Sequence, residues 1–339
     1  MRIPLRMMLG VFIVGVVIPL FILWPRERKS PQQMIGYKDD KSKSRHKLSD
    51  TDVVSPAVWR NHIARSCQKL GLHENNNLTR AVLQHILVDD THKLLYCAIP
   101  KVASTTWRRI FILLSGNIKT KDLASISAND VHHKYAKNLT YLSDFPREGI
   151  VRRINTYFKF LFVREPFERI LSAFRNKFLT NTNSSTYFKR AFGRKIINTY
   201  RPDASLNHNG EGLLFEEFIA YLTDYKSVIK TNEHWERFHI LCNPCLINYD
   251  FIGKLETIER DSQFVLDKMS LSEWIKLPSR SELKYATELT NSFMEEFYGN
   301  VSRHSIVQLF KKYQADFLIF NYTVPQVIRN LMLRKRDKE

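Results

Sequence analysis

Glycine is scarce in this chain, 11 residues in 339, and no G-x-x-x-x-G-K-[ST] run occurs. That excludes a Walker A loop and weakens any kinase or nucleoside triphosphatase reading. Cysteine is scarcer still: there are four, and only Cys242 and Cys245 form a C-x-x-C pair. One such pair, with no second ligand pair and no thioredoxin-like pattern around it, does not make a zinc or redox site. Acidic residues number 34 against 52 Lys and Arg, for a net charge of +18. A D-x-D pair of the kind that holds a metal-bound sugar nucleotide occurs only at Asp50-Thr51-Asp52, in a polar segment. No internal repeat is visible.

What is present begins with an uncharged run at residues 7–24, just long enough to span a bilayer and followed by no A-x-A-like cleavage site. The expected organisation is a cytoplasmic tail at 1–6, a retained signal anchor at 7–24, a polar stem at 25–55 and one large lumenal domain at 56–339. Basic residues flank the run on both sides, so the positive-inside rule chooses no orientation. Five N-x-[ST] sequons, at Asn77, Asn138, Asn183, Asn300 and Asn321, all follow the run and favour a type II topology. Residues 59–70 read as an amphipathic helix, and the chain beyond 265 reads as mainly helical. In an oxidising lumen disulfides are expected, but four cysteines allow three pairings. Cys97, inside an apolar run, also suits a free core thiol.

The chemistry concentrates in two stretches. Residues 96–114 read Y-C-A-I-P-K-V-A-S-T-T-W-R-R-I-F-I-L-L: a short apolar strand stopped by Pro100, then Lys101, then Ser104, Thr105 and Thr106 at the cap of a helix expected over 105–114. Such a helix end is an anion site, to which Lys101 adds a mobile point charge. Residues 157–178 read Y-F-K-F-L-F-V-R-E-P-F-E-R-I-L-S-A-F-R-N-K-F. This is a second strand ending at Arg164, followed by a helix with Pro166 in its first turn. Phe167, Leu171, Phe174 and Phe178 form its apolar stripe. Arg164 at the carboxyl edge of a sheet points to a ligand crevice, although Glu165 and Glu168 are ready ion-pair partners. Together the two stretches suggest a two-phosphate nucleotide site.

These motifs resemble the 5′-phosphosulfate loop and 3′-phosphate motif of the Golgi carbohydrate sulfotransferases. Residues 232–257 and 316–325 are similar to the chondroitin/dermatan 4-O-sulfotransferase branch. The resemblance covers roughly residues 80–325 and implies an α/β, P-loop-like three-layer fold with a central parallel sheet. It implies the donor 3′-phosphoadenosine-5′-phosphosulfate (PAPS) and no metal. It places the donor on Pro100, Lys101, Val102, Ala103, Ser104, Thr105 and Thr106, and on Arg164, Glu165, Pro166, Phe167, Glu168, Arg169, Ile170, Leu171 and Ser172. Thr106 stands where the branch often has asparagine, a change compatible with phosphate binding. Glu256 and Thr257 match the turn closing the adenine pocket.

Lys101 is also the candidate to meet charge on the leaving phosphate, and His132 the candidate general base, with His133 its rival. His234 and Trp235 are assigned to the acceptor side. Between residues 151 and 201, twelve Lys or Arg face two Glu. An excess this large suits an anionic glycosaminoglycan acceptor, and the topology argues against nucleic acid. The implied place is the Golgi membrane, as a single-pass type II protein. The alternatives are a sibling enzyme acting on terminal glucuronic acid or N-glycan GalNAc, or a non-catalytic lumenal glycan-binding protein.

Overall fold

A computed structural model describes residues 56–72, 78–118, 120, 122–201, 209–279, 281–282 and 289–334. The expected anchor and stem and the Asn77 sequon lie outside them. Among the described residues no helix is long and apolar enough to cross a membrane.

The two apolar runs form strands, as their composition requires. Five strands make one sheet: β1 (Ile86–Asp89), β2 (Leu94–Cys97), β3 (Thr140–Tyr141), β4 (Phe158–Val163) and β5 (Phe251–Lys254), in the order β3-β1-β2-β4-β5. β2, β4 and β5 run parallel, whereas β1 is antiparallel to both β2 and β3. The expected parallel sheet is therefore corrected to a mixed one. The cause is the short link at 90–93, which can close a hairpin but not a parallel crossover. Asp89 Oδ1 closes it by accepting the N–H groups of Thr91 and His92 at 2.8 and 3.2 Å.

Two long helices lie early in the chain, α1 (Pro56–Lys69) and α2 (Ser104–Leu114), and aromatic rings fill the space between the strands and α2. Trp107 lies 4.7 Å from Phe160 and 5.5 Å from Phe162 between ring centroids, which fixes the start of α2 against the sheet. Gly253 on β5 sits opposite Phe162. A Cβ there would come within 2.3 Å of the Phe162 ring, so only glycine fits.

In α1 the buried residues Trp59, Ile63 and Cys67 recur every fourth position, as the amphipathic reading expects. The C-x-x-C pair does not close on itself. Cys67 bonds Cys245 and Cys97 bonds Cys242, so Cys97 is not a free thiol. Its place at the end of β2 brings its Cα within 6.0 Å of that of Cys242. The C-terminal part is mainly helical, and Leu309, Phe310 and Tyr313 are buried core residues, as expected. Among the sequon residues, Asn183, Asn300 and Asn321 are exposed and Asn138 is half-buried.

Candidate active site

Register brings the two motifs together. Cys97 of β2 pairs with Leu161 of parallel β4, so Pro100 and Arg164, each three residues further on, leave the same sheet edge side by side. Val163 pairs with Lys254 of β5, and two residues beyond, the Glu165 N–H donates to Glu256 Oε1 at 3.0 Å. Glu256 Oε2 in turn accepts the Tyr322 hydroxyl at 3.0 Å. Thr257 turns away, donating to Asp261 at 2.6 Å.

The loop after β2 is bent by two residues in the left-handed region, Lys101 at φ 74° and Ala103 at φ 62°. Left-handed residues so close together turn neighbouring amides into one concavity, a nest suited to an anion. Helix α2 starts one residue earlier than the sequence suggests, and Ala103 as its N-cap supplies no side-chain bond. The expected capping by Ser104, Thr105 or Thr106 does not occur. Among the described residues these hydroxyls make no hydrogen bond, and the amides of Lys101 to Thr105 have no acceptor. The positive end of the helix is thus left open. Pro100 and Val102 bury their side chains, so they can serve an anion only through the backbone. Lys101 is half-buried with no hydrogen-bond or ion-pair partner among the described residues. Burial, and then the charges of Lys177, Arg164 and Arg169, push its pKa down to about 7.

Arg164 is 8% exposed and donates from Nη2 to Glu168 Oε2 at 3.2 Å, the pairing its neighbours made available. Its Nε is buried with no partner among the described residues, which leaves a donor free for an anion's oxygen. Ser172 lies one turn beyond Glu168 on the same half-buried face of the helix running from Pro166 to Phe178. The rest of that motif is corrected. The side chains of Pro166, Phe167, Ile170 and Leu171 are buried in the core. Glu165 caps the helix by accepting the Glu168 N–H at 2.7 Å, its other oxygen is buried without a partner, and burial pushes its pKa up to about 8. The polar side chains of this motif that are neither packed in the core nor spent on the cap are those of Arg164, Glu168 and Ser172.

Arg169 is a residue that the sequence singles out but whose role it hides. It is 1% exposed and donates to three carbonyl oxygens: Pro100 at 3.2 Å, Glu236 at 2.5 Å and Glu233 at 2.7 Å. The Phe238 ring covers its guanidinium at 4.4 Å. Placed among cofactor ligands by the motif, it instead ties the Lys101 loop to the segment that carries His234. Its own shift, down to about 10, comes from burial.

His132 ends the short helix Ala128–His132 and stays open to solvent. Partial burial, then Arg108, Lys177, His133 and Arg109, lower it to about 4, so it is neutral at pH 7. His234 lies in the same electrostatic neighbourhood: burial first, then Lys177, Lys101, Arg169 and His132, hold it well below the usual histidine range. Its Nδ1 is 2.7 Å from Asn232 Oδ1, a contact that keeps the proton on Nδ1 and leaves Nε2 as an acceptor. Trp235 is corrected. It is fully buried, its Nε1 donates to the Tyr221 hydroxyl at 3.1 Å, and it presents no face to a sugar. Lys177 also stands at this site, unforeseen, although a lysine on an otherwise apolar stripe is a visible signal.

The description "Sulfotransferase family" belongs to the family model that matches residues 84–323. Carbohydrate sulfotransferase 11 of Mus musculus is 42% identical over 288 residues, 83% of this chain and 80% of that protein. Carbohydrate sulfotransferase 9 of Homo sapiens is 38% identical over 271 residues, 78% of this chain and 59% of that protein. Carbohydrate sulfotransferase 10 of Danio rerio is 32% identical over 294 residues, 82% and 80% of the two chains. No solved structure matches.

Proposed function

The chain belongs to the sulfotransferase family, and from that premise we propose that it transfers the sulfuryl group of PAPS to a glycan hydroxyl, foremost position 4 of GalNAc in chondroitin or dermatan. The observation that carries this reading is the meeting, at one sheet edge, of an uncapped helix start, the unpaired Lys101 and a buried Arg164 with an unmatched Nε. A donor with phosphates at both ends answers each of them.

In this reading the amides of Lys101 to Thr105, with the hydroxyls of Ser104, Thr105 and Thr106, hold the 5′-phosphosulfate. Arg164 and Ser172 hold the 3′-phosphate. PAPS supplies a sulfonate on a phosphate leaving group. Lys101 sits where that phosphate gathers charge, and the low-dielectric surroundings that depress its pKa also strengthen the attraction once it is protonated. His132 accepts the proton of the acceptor hydroxyl, being neutral at pH 7. His234 is on the acceptor side, beside the Lys101 loop through the Arg169 clamp.

The net charge of +18 favours encounter with an acidic polymer. A type II Golgi membrane placement is supported by the apolar run at 7–24, by the exposed sequon residues and by two disulfides, which persist in oxidising compartments. The test is transfer from labelled PAPS by the secreted chain from residue 26 onward. Desulfated chondroitin, dermatan, heparosan and N-glycan acceptors would be offered and the product disaccharides mapped. Sulfate on GalNAc position 4 is expected. Donor binding without transfer to any acceptor would replace the enzyme with a glycan receptor.

A further inference from the structure

Lys177 is 8% exposed, near the end of the helix that starts at Pro166. Its ammonium donates to Ser184 Oγ at 2.8 Å and lies 4.6 Å from the centre of the Phe188 ring. Among the described residues no carboxylate comes within ion-pair distance of it: Glu233 attracts it from further off but stands 3.6 Å from His85 Nδ1. Two other largely buried bases do have one, Arg153 with Asp90 at 2.6 Å and Lys159 with Asp250 at 2.9 Å, while the buried Arg109 and Arg169 are bonded to carbonyl oxygens instead. A buried ammonium whose only direct contacts are a neutral hydroxyl and a ring face is costly to desolvate, and an anion from outside the chain would match it best.

The surroundings say which anion. The Phe188 ring that carries Lys177 also meets the His234 ring, at 5.0 Å edge-on, so Lys177 and His234 share one wall. Ser184 and Phe188 belong to a separate short helix, Asn183–Phe188, which is not part of the nucleotide edge formed by β2, β4 and β5. The donor's anionic groups already have Lys101, the α2 amides, Arg164 and Ser172. We propose that Lys177, with Ser184 beside it, forms an anion subsite for the acceptor, receiving the carboxylate of a uronic acid next to the sugar that is sulfated. This rests on the glycosaminoglycan reading above. Lys177 would then position the acceptor hydroxyl without touching the transferred group.

The experiment compares unsulfated chondroitin with its carboxyl-reduced form, in which each uronate has become a neutral sugar. Wild type and the variants Lys177→Met, Lys177→Arg and Ser184→Ala are assayed on both, with 3′,5′-ADP binding by calorimetry as the donor-site readout. Lys177→Met is expected to raise KM for chondroitin about tenfold or more while 3′,5′-ADP affinity stays within about twofold. On the carboxyl-reduced acceptor it should match wild type, which itself loses by the same factor. Lys177→Arg should retain most of the affinity, and Ser184→Ala, at an exposed position that tolerates change, should give a smaller loss on chondroitin alone. Equal losses on both acceptors, or a loss of 3′,5′-ADP affinity, would overturn the subsite. If Lys177→Met fails to fold, Ser184→Ala decides: a KM rise confined to chondroitin supports the subsite, and unchanged KM on chondroitin overturns it. A wild-type enzyme that binds 3′,5′-ADP but sulfates neither acceptor would overturn the glycosaminoglycan reading, and the subsite with it.

Discussion

The guanidinium of Arg169 holds the carbonyl oxygen of Pro100 at 3.2 Å, one residue before the lysine of the donor loop. The same group holds Glu233 and Glu236, on either side of His234 and Trp235. The Lys101 loop and the segment that carries His234, more than a hundred residues apart in the chain, therefore share one buried fastener. Lysine at this position could not reach three carbonyls, and each one left unmatched would cost about 1 to 3 kcal/mol. Arg169→Lys is expected to lower the melting temperature and to weaken 3′,5′-ADP binding and acceptor KM together. An effect on only one of the two would break the idea of a shared clamp.

Among the described residues Lys101 has no hydrogen-bond or ion-pair partner to lose. Lys101→Met should leave thermal stability unchanged or slightly raised, because a buried charge is removed, yet reduce turnover to background. Its pKa near 7 sets a sign for donor binding. The protonated form binds the anion, so affinity is level below about pH 7 and falls by up to about tenfold per pH unit above it. Calorimetry of 3′,5′-ADP between pH 6 and 9 should show that slope, accompanied by proton uptake. The slope should vanish in Lys101→Met.

Arg164→Ala is expected to weaken 3′,5′-ADP binding by about 2 to 5 kcal/mol, as removal of a buried charged contact does. Acceptor KM, measured at saturating donor, should move little. Comparable losses on both sides would mean a damaged fold, since Arg164 also pairs with Glu168.

His132→Ala should cut turnover by about 10²- to 10⁴-fold with donor affinity retained. Wild-type rates in that variant would hand the base role to His133 or to His234, whose Nε2 is left as an acceptor by Asn232. The pH profile offers a second check. A base lowered to about 4 stays active until strong acid protonates it, so the acid limb of kcat/KM should lie near pH 4, well below the ordinary histidine value of about 6.5.

The Cys97–Cys242 disulfide closes a sequence separation of 145 residues and tethers the strand before the donor loop to helix Phe238–Cys242. Its removal by a Cys97→Ala/Cys242→Ala pair should cost about 2 to 5 kcal/mol in denaturant unfolding. A change below about 1 kcal/mol would mean that the surrounding aromatic core alone fixes this junction.

The sequence by itself determined the pieces that depend on near neighbours. The apolar runs at 94–99 and 158–163, the Pro166 helix start, the stripe of Phe167, Leu171, Phe174 and Phe178, and the amphipathic spacing of Trp59, Ile63 and Cys67 all follow from local period and side-chain type. The nomination of Lys101 and Arg164 follows in the same way, because a loop lysine and a strand-end arginine are visible without knowing what lies opposite, whereas only the family resemblance points to Ser172. Tertiary structure alone decided which distant groups met. It made the sheet mixed, since strand direction depends on how a four-residue link closes against β2. It split the C-x-x-C pair between two partners, and it buried Trp235 among Phe178, Phe192 and Phe218 where a sugar wall was expected. It also turned Arg169 from a supposed ligand into a clamp and left Lys177 with no carboxylate at ion-pair distance among the described residues. Both outcomes depend on backbone carbonyls and carboxylates supplied, or not supplied, from elsewhere in the chain, and no local pattern encodes them.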